Sequence, residues 1–217
     1  MVSNRSLIMG CALFLSTLAL PTPQDSPDSS DCTITAADLT AIDPTTATCS
    51  TTGDFASECA DAATAAPALT SAFEKYNIAE PGVQAALIAI MMYESGSFKY
   101  NHNHFPAPGR PGQGTRNMQM APFNEKYATA LYGADKVAAA KAGQGGEDAV
   151  LALVQGDEDS FASAAWFLTT QCSPSIEEGL ASGSAAGWDA YLTTCVGTTH
   201  TADRDPLWTK AKQVLGA

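Results

Sequence analysis

The stretch Pro81 to Gly96, Pro-Gly-Val-Gln-Ala-Ala-Leu-Ile-Ala-Ile-Met-Met-Tyr-Glu-Ser-Gly, constrains this chain more than any other. It is almost wholly apolar and carries one carboxylate near its far end. Proline suits a first helical turn, where its missing N–H costs nothing, and glycine suits the left-handed residue that closes a helix. The sequence therefore predicts a helix from Pro81 to Gly96. Val83, Leu87, Ile90 and Glu94 recur at helical spacing, while Ile88, Ala89 and Met92 carry apolar character to the other side. That is the pattern of a helix surrounded by protein. Glu94 then stands at the mouth of a core helix, where partial burial and the negative end of the helix dipole both disfavour a charged carboxylate. These are conditions that suit a general acid.

Length and cysteine usage frame the rest. The 217 residues are 45% hydrophobic and 16% charged, enough for one sizeable core. Arg5 followed by the apolar run Leu7 to Leu20 reads as a secretory signal ending near Ala19, and residues 20–31 read as a flexible leader. The folded domain is expected over residues 32–217. Loss of Cys11 with the signal leaves Cys32, Cys49, Cys59, Cys172 and Cys195 in an oxidising, extracellular setting. Cys172 and Cys195 flank a Gly/Ser-rich connection between two helical stretches and are the preferred pair. One of the three N-terminal cysteines is left over. The net charge of −12, or −13 without Arg5, argues against nucleic acid or an anionic membrane as partner.

Thr35 to Asp38 has the form of a capping box, and Pro67, Leu69, Ala72, Phe73 and Tyr76 fit an amphipathic helix expected to pack beside the central one. Residues 97–111 alternate aromatic and polar side chains before Pro106, Pro108, Gly109 and Pro111 forbid regular structure, so a small β-like or loop excursion is expected beside the helix mouth. Further helices are signalled by Phe123 to Leu131, Val137 to Ala142, Glu147 to Val154, Phe161 to Gln171, Trp188 to Val196 and Pro206 to Leu215. The fold class is mainly α.

Tyr93-Glu94-Ser95-Gly96, followed by Asn117-Met118-Gln119-Met120 and Pro122, resembles the lysozyme-like superfamily of soluble lytic transglycosylases and goose-type lysozymes. With Ser163 to Cys172 and Gly187-Trp188 added, the likeness is to secreted fungal muramidase catalytic domains and covers most of residues 32–217. That resemblance implies a lysozyme-like domain cleaving the β-1,4 bond between N-acetylmuramic acid and N-acetylglucosamine, with peptidoglycan as partner and Glu94 as catalytic acid. Alternatives are a lytic transglycosylase, a chitinase-type glycosidase and a non-catalytic glycan-binding module. No Asp or Glu lies between Glu94 and Glu125, so a second catalytic carboxylate is missing from that stretch.

Candidate binding residues follow from chemistry. Ser95, Asn117 and Gln119 carry short uncharged donors and acceptors, and Tyr100, Phe105 and Trp166 offer ring faces. Asn101 and Asn103 complete the polar set. Arg110 and Arg116 are rare cations in an acidic chain, open either to a ligand's carboxylates or to structural pairing in the loop. His102-Asn-His104 lacks a third ligand at useful spacing, so neither a metal nor any other cofactor is expected, and its simpler role is to hold the loop. The protein is expected to be a secreted monomer.

Overall fold

The computed structural model describes residues 33–217, and the expected signal and leader segments, with Cys32, lie outside them. The described chain is mainly α. It begins with α1 (Ala36–Ile42), whose N-cap Thr35 and Asp38 form the expected capping box. Irregular chain with two short 3-10 turns leads to α2 (Ala62–Lys75), which is capped by Asp61. The disulfide Cys49–Cys59 closes this wrap.

The central helix α3 spans Pro81–Ser95 and closes on Gly96 at φ 61°, as the sequence predicts. Leu87, Ile88, Ile90, Met91 and Met92 are at most 2% exposed, so α3 is covered on every side. Each such side chain stabilises by about 2 kcal/mol through the apolar surface it removes from water. Gly82 lets the start of α3 lie against the end of α8 (Pro174–Ala181), because a Cβ there would stand 2.4 Å from the Leu180 carbonyl. One expectation fails. α3 packs chiefly along α10 (Asp205–Leu215), whereas α2 packs along α7 (Asp157–Gln171), so α2 and α3 are not each other's main neighbours.

Between α3 and α7 come a long loop, α4 (Ala121–Tyr132), α5 (Ala134–Ala142) and α6 (Gly146–Ala152). The loop contains only isolated antiparallel bridges, His102 to Gly114 and Gly114 to Gln119, rather than a sheet. Beyond α7 lies α8, which the Gly/Ser-rich composition concealed. α9 (Ala185–Ala190) then continues into a π-helical turn, Tyr191–Val196. Two apolar clusters result. The larger surrounds α3. The smaller joins Tyr127, Val137, Val150, Leu151 and Val154 to Trp166 and Phe167 on α7.

Cys172 and Cys195 are bonded, and both pack against the two clusters, so this disulfide ties the π turn to the end of α7. Closing a loop between residues 23 apart restricts the unfolded chain. Replacing both cysteines with alanine is expected to lower unfolding free energy by about 3 kcal/mol in urea titrations. An unchanged urea midpoint would contradict that role.

Candidate functional site

A cleft of about 300 Å³ opens between the two apolar clusters, at the C-terminal end of α3. One wall comes from the loop after α3 and the start of α4: Arg110, Gln113, Asn117, Met118, Gln119, Met120 and Phe123. The facing wall comes from the π turn and the chain after it, with Tyr191, Val196, Gly197, Thr198 and Arg204. Ile90 and Glu94 of α3 and Phe167 of α7 complete the lining.

Glu94 is 24% exposed and receives a hydrogen bond from Nη1 of Arg204 at 2.7 Å. Arg204 is itself nearly buried. Its Nη2 donates to the Thr198 hydroxyl at 3.2 Å, and its guanidinium lies 4.2 Å from the centre of the Tyr93 ring. The Tyr93 hydroxyl donates in turn to Asp203, a bond that raises the phenol above its ordinary range. Two residues flanking one another, Tyr93 and Glu94, thus clasp Asp203 and Arg204 across 110 positions of sequence. No helical spacing reveals such a partner. Beside Glu94, Tyr191 is 1% exposed, and burial, reinforced by the Glu94 charge, holds its phenol protonated. Tyr191 brings a neutral hydroxyl to the cleft. Its place in a π turn is a position such turns often occupy in functional sites.

The loop wall is held from behind by Arg116, which is 1% exposed. Its Nη1 donates to the carbonyls of Phe98 at 2.8 Å and Tyr100 at 3.2 Å, and its Nη2 to Asp157 at 3.0 Å. Its guanidinium sits 4.9 Å from the Phe161 ring centre. Burial lowers the Arg116 pKa, and the Asp157 carboxylate opposes that shift. In front of it, Asn117 accepts from the hydroxyls of Thr115 and Ser163 through Oδ1. Gln119 donates to Asn124 at 2.7 Å, and Asn124 donates to the carbonyls of Gly112 and Gln119. The two amides that line the cleft are therefore fixed by their neighbours.

Of the residues singled out from sequence, Glu94, Arg110, Asn117 and Gln119 meet in this cleft. The remaining candidate binding residues stand outside its lining. Ser95 is fully buried, donates to the Met91 carbonyl at 2.6 Å and accepts from the Phe98 amide, so it finishes α3. Arg116 is the loop's internal fastener, and Trp166 packs on Tyr127 in the smaller core cluster. Asn101 exchanges hydrogen bonds with Gln155, and Asn103 accepts from the Arg110 amide. Tyr100 makes edge contacts with Phe55, His104 and Phe105. Sequence reasoning missed Arg204, Tyr191 and Thr198. The one local sign was an arginine between two aspartates just ahead of Pro206.

Each of the three histidines pairs with carboxylates. His104 meets Glu58 at 2.7 Å, His102 meets Asp148 at 3.3 Å, and His200 bridges Asp189 and Asp205. Among the described residues no group of three His, Cys, Asp or Glu side chains is placed to hold a metal ion. No described helix is long and apolar enough to cross a membrane.

No protein-family model and no solved structure matches the chain. A protein of Fusarium oxysporum (strain Fo5176), named bifunctional dioxygenase (DOX)-epoxy alcohol synthase (EAS), is 38% identical over 141 residues. The match takes in 62% of this chain and 11% of that protein's length. This similarity overturns the muramidase expectation and, with it, the transglycosylase, chitinase and glycan-binding alternatives, because the matched protein is named for oxygenation and epoxy alcohol formation. The residues that carried the earlier resemblance have local reasons to exist. Ser95 and Gly96 close a helix, and Met118 adopts positive φ in a tight turn flanked by Arg116 and Asn124.

The segment that delivers Arg204 is latched by His200. The Asp205 carboxylate, 2.7 Å from Nε2, and then Asp189, 2.8 Å from Nδ1, raise the imidazole above its ordinary range. A raised folded-state pKa means that the native state holds the extra proton more tightly. The resulting stability is complete below the unfolded value of about 6.5 and is lost as pH rises through the folded value. Urea midpoints are expected to fall as pH is raised from about 6.5 to 8, and to fall less in His200→Gln. Identical slopes in the two proteins would contradict the latch.

Proposed function

We propose that the cleft is a proton-transfer site for a small oxygen-bearing organic molecule, with Glu94 giving or taking the proton. The observation that carries this reading is a partly exposed carboxylate at the floor of a cleft, oriented by Arg204 at 2.7 Å and faced by immobilised amides and a buried phenol. A side chain held in one geometry by its neighbours is what proton transfer to a bound oxygen requires. Asn117, Gln119 and Tyr191 supply hydrogen-bonding groups for hydroxyl, epoxide or carbonyl oxygens. Ile90, Met120, Phe123 and Phe167 cover a carbon skeleton.

The Fusarium relative's name supports an oxygenated substrate class. An epoxy alcohol carries a strained C–O–C ring and a hydroxyl, and opening the ring needs a proton on the departing oxygen while water adds at carbon. Glu94, held as a carboxylate by Arg204, takes the proton that the adding water gives up, and the phenol of Tyr191, kept protonated by burial, hydrogen-bonds the departing oxygen, which takes its proton from solvent water. Dioxygenation needs in addition a group that activates O2. The described residues do not fit a protein-held metal for it, since every histidine is committed to carboxylates and no group of three His, Cys, Asp or Glu side chains among them is placed to hold an ion. No oxygenation step is assigned to them.

The test is conversion of an aliphatic epoxy alcohol in ¹⁸O-water, followed by mass spectrometry. The native protein is expected to yield a triol carrying one ¹⁸O, and Glu94→Gln, still folded, to lose roughly 10²-fold or more in rate. A fully active Glu94→Gln protein, or a native protein that leaves epoxy alcohols untouched, would overturn the reading.

A further inference from the structure

The chain as a whole carries a net charge of −12, yet the charged residues lining the cleft are Glu94, Arg110 and Arg204. Two cations face one anion. Arg204 is spent on Glu94, which leaves the charge of Arg110 unmatched. The Arg110 side chain is exposed and forms no ion pair with another described residue. Among the described residues its guanidinium makes one hydrogen-bonding contact, from Nη1 to Sδ of Met120 at 3.8 Å, a weak neutral acceptor.

The backbone beneath Arg110 is firmly set. Its amide donates to Asn103 Oδ1 at 3.1 Å, and the Asn103 amide donates to the Gln113 carbonyl at 2.9 Å. Gly109 lies so close to the Asn103 carbonyl that a Cβ would stand 1.9 Å from its oxygen. The nearby acid Asp148 is already engaged by the Gly112 amide at 2.6 Å and by His102. The loop thus holds an unneutralised guanidinium at the edge of a cleft whose adjoining surface is Met118, Met120 and Phe123.

We propose that Arg110 makes the cleft selective for ligands that carry a carboxylate on an apolar stem. The planar guanidinium matches a carboxylate with two parallel N–H···O bonds, and the methionines and phenylalanines take the stem. Repulsion from the distant acids of this chain is screened within about 8 Å at physiological salt, so the local cation governs the contact. The inference rests on the cleft being the ligand site, and not on the role given to Glu94.

The probe is a matched pair, hexanoate and hexan-1-ol, titrated into the ¹⁵N-labelled full protein while the amides of Gly112, Gln113 and Met120 and the Arg110 side-chain N–H are followed. Hexanoate is expected to shift these signals saturably and to bind roughly tenfold or more tightly than hexan-1-ol. Arg110→Gln should abolish that preference, and Arg110→Lys should keep part of it. Equal affinity for acid and alcohol, a preference that survives Arg110→Gln, or the absence of any saturable shift with hexanoate would each overturn the proposal. Hexanoate selectivity in a protein whose Glu94→Gln variant is fully active would instead retain the anion site and remove the proton-transfer reading.

Discussion

The contact between Glu94 and Arg204 is the interaction on which the arrangement of this protein turns. A helix covered on all sides ends in a carboxylate, and a charge at a low-polarity helix end is costly unless a partner arrives. The partner comes from the chain after the π turn, 110 residues later. Bringing it there carries Thr198 and Gly197 over the end of α3 and starts α10 in position to pack along α3. One electrostatic requirement thereby places a whole wall of the cleft.

The other wall depends on a second buried cation. Arg116 collects two loop carbonyls and Asp157 and lies on the Phe161 ring, so residues 97–120 fold around it without a sheet. Ser97, Phe98, Thr115 and Met118 all adopt positive φ, a conformation uncommon outside glycine and sustained here by the surrounding hydrogen bonds. Stiffness on both sides keeps Asn117, Gln119 and Glu94 facing a common space.

Much of the fold could be read directly. Proline and glycine mark both ends of α3, Thr35 and Asp38 mark the start of α1, and the Cys172–Cys195 pair follows from its flanking helices. Each is a local rule with a local cause. α8 was hidden because Gly179 and the following Gly/Ser residues resemble a linker, although Ile176 and Leu180 bury one face. The site was less legible for the same reason. Glu94, Asn117 and Gln119 stand near turns that chemistry singles out, whereas Arg204 and Tyr191 reach Glu94 only through the packing of α10 and the π turn. Ser95, Arg116 and Trp166 are polar or aromatic residues whose partners lie inside the protein, and composition alone does not separate such residues from ligand contacts. The mistaken peptidoglycan assignment had this origin: short motifs around helix ends and tight turns are required by backbone geometry whatever the substrate.

The claim that the Glu94–Arg204 pair organises the cleft is tested most directly by a double-mutant cycle on stability, using Glu94→Gln, Arg204→Met and the double variant in urea. Groups in direct contact couple by about 0.5–3 kcal/mol, whereas independent sites add within about 0.5 kcal/mol. The account predicts a coupling above about 1 kcal/mol, with either single change costing nearly as much as both together. Simple additivity of the two changes would show that the pair does not hold the C-terminal segment on α3 and would contradict the account.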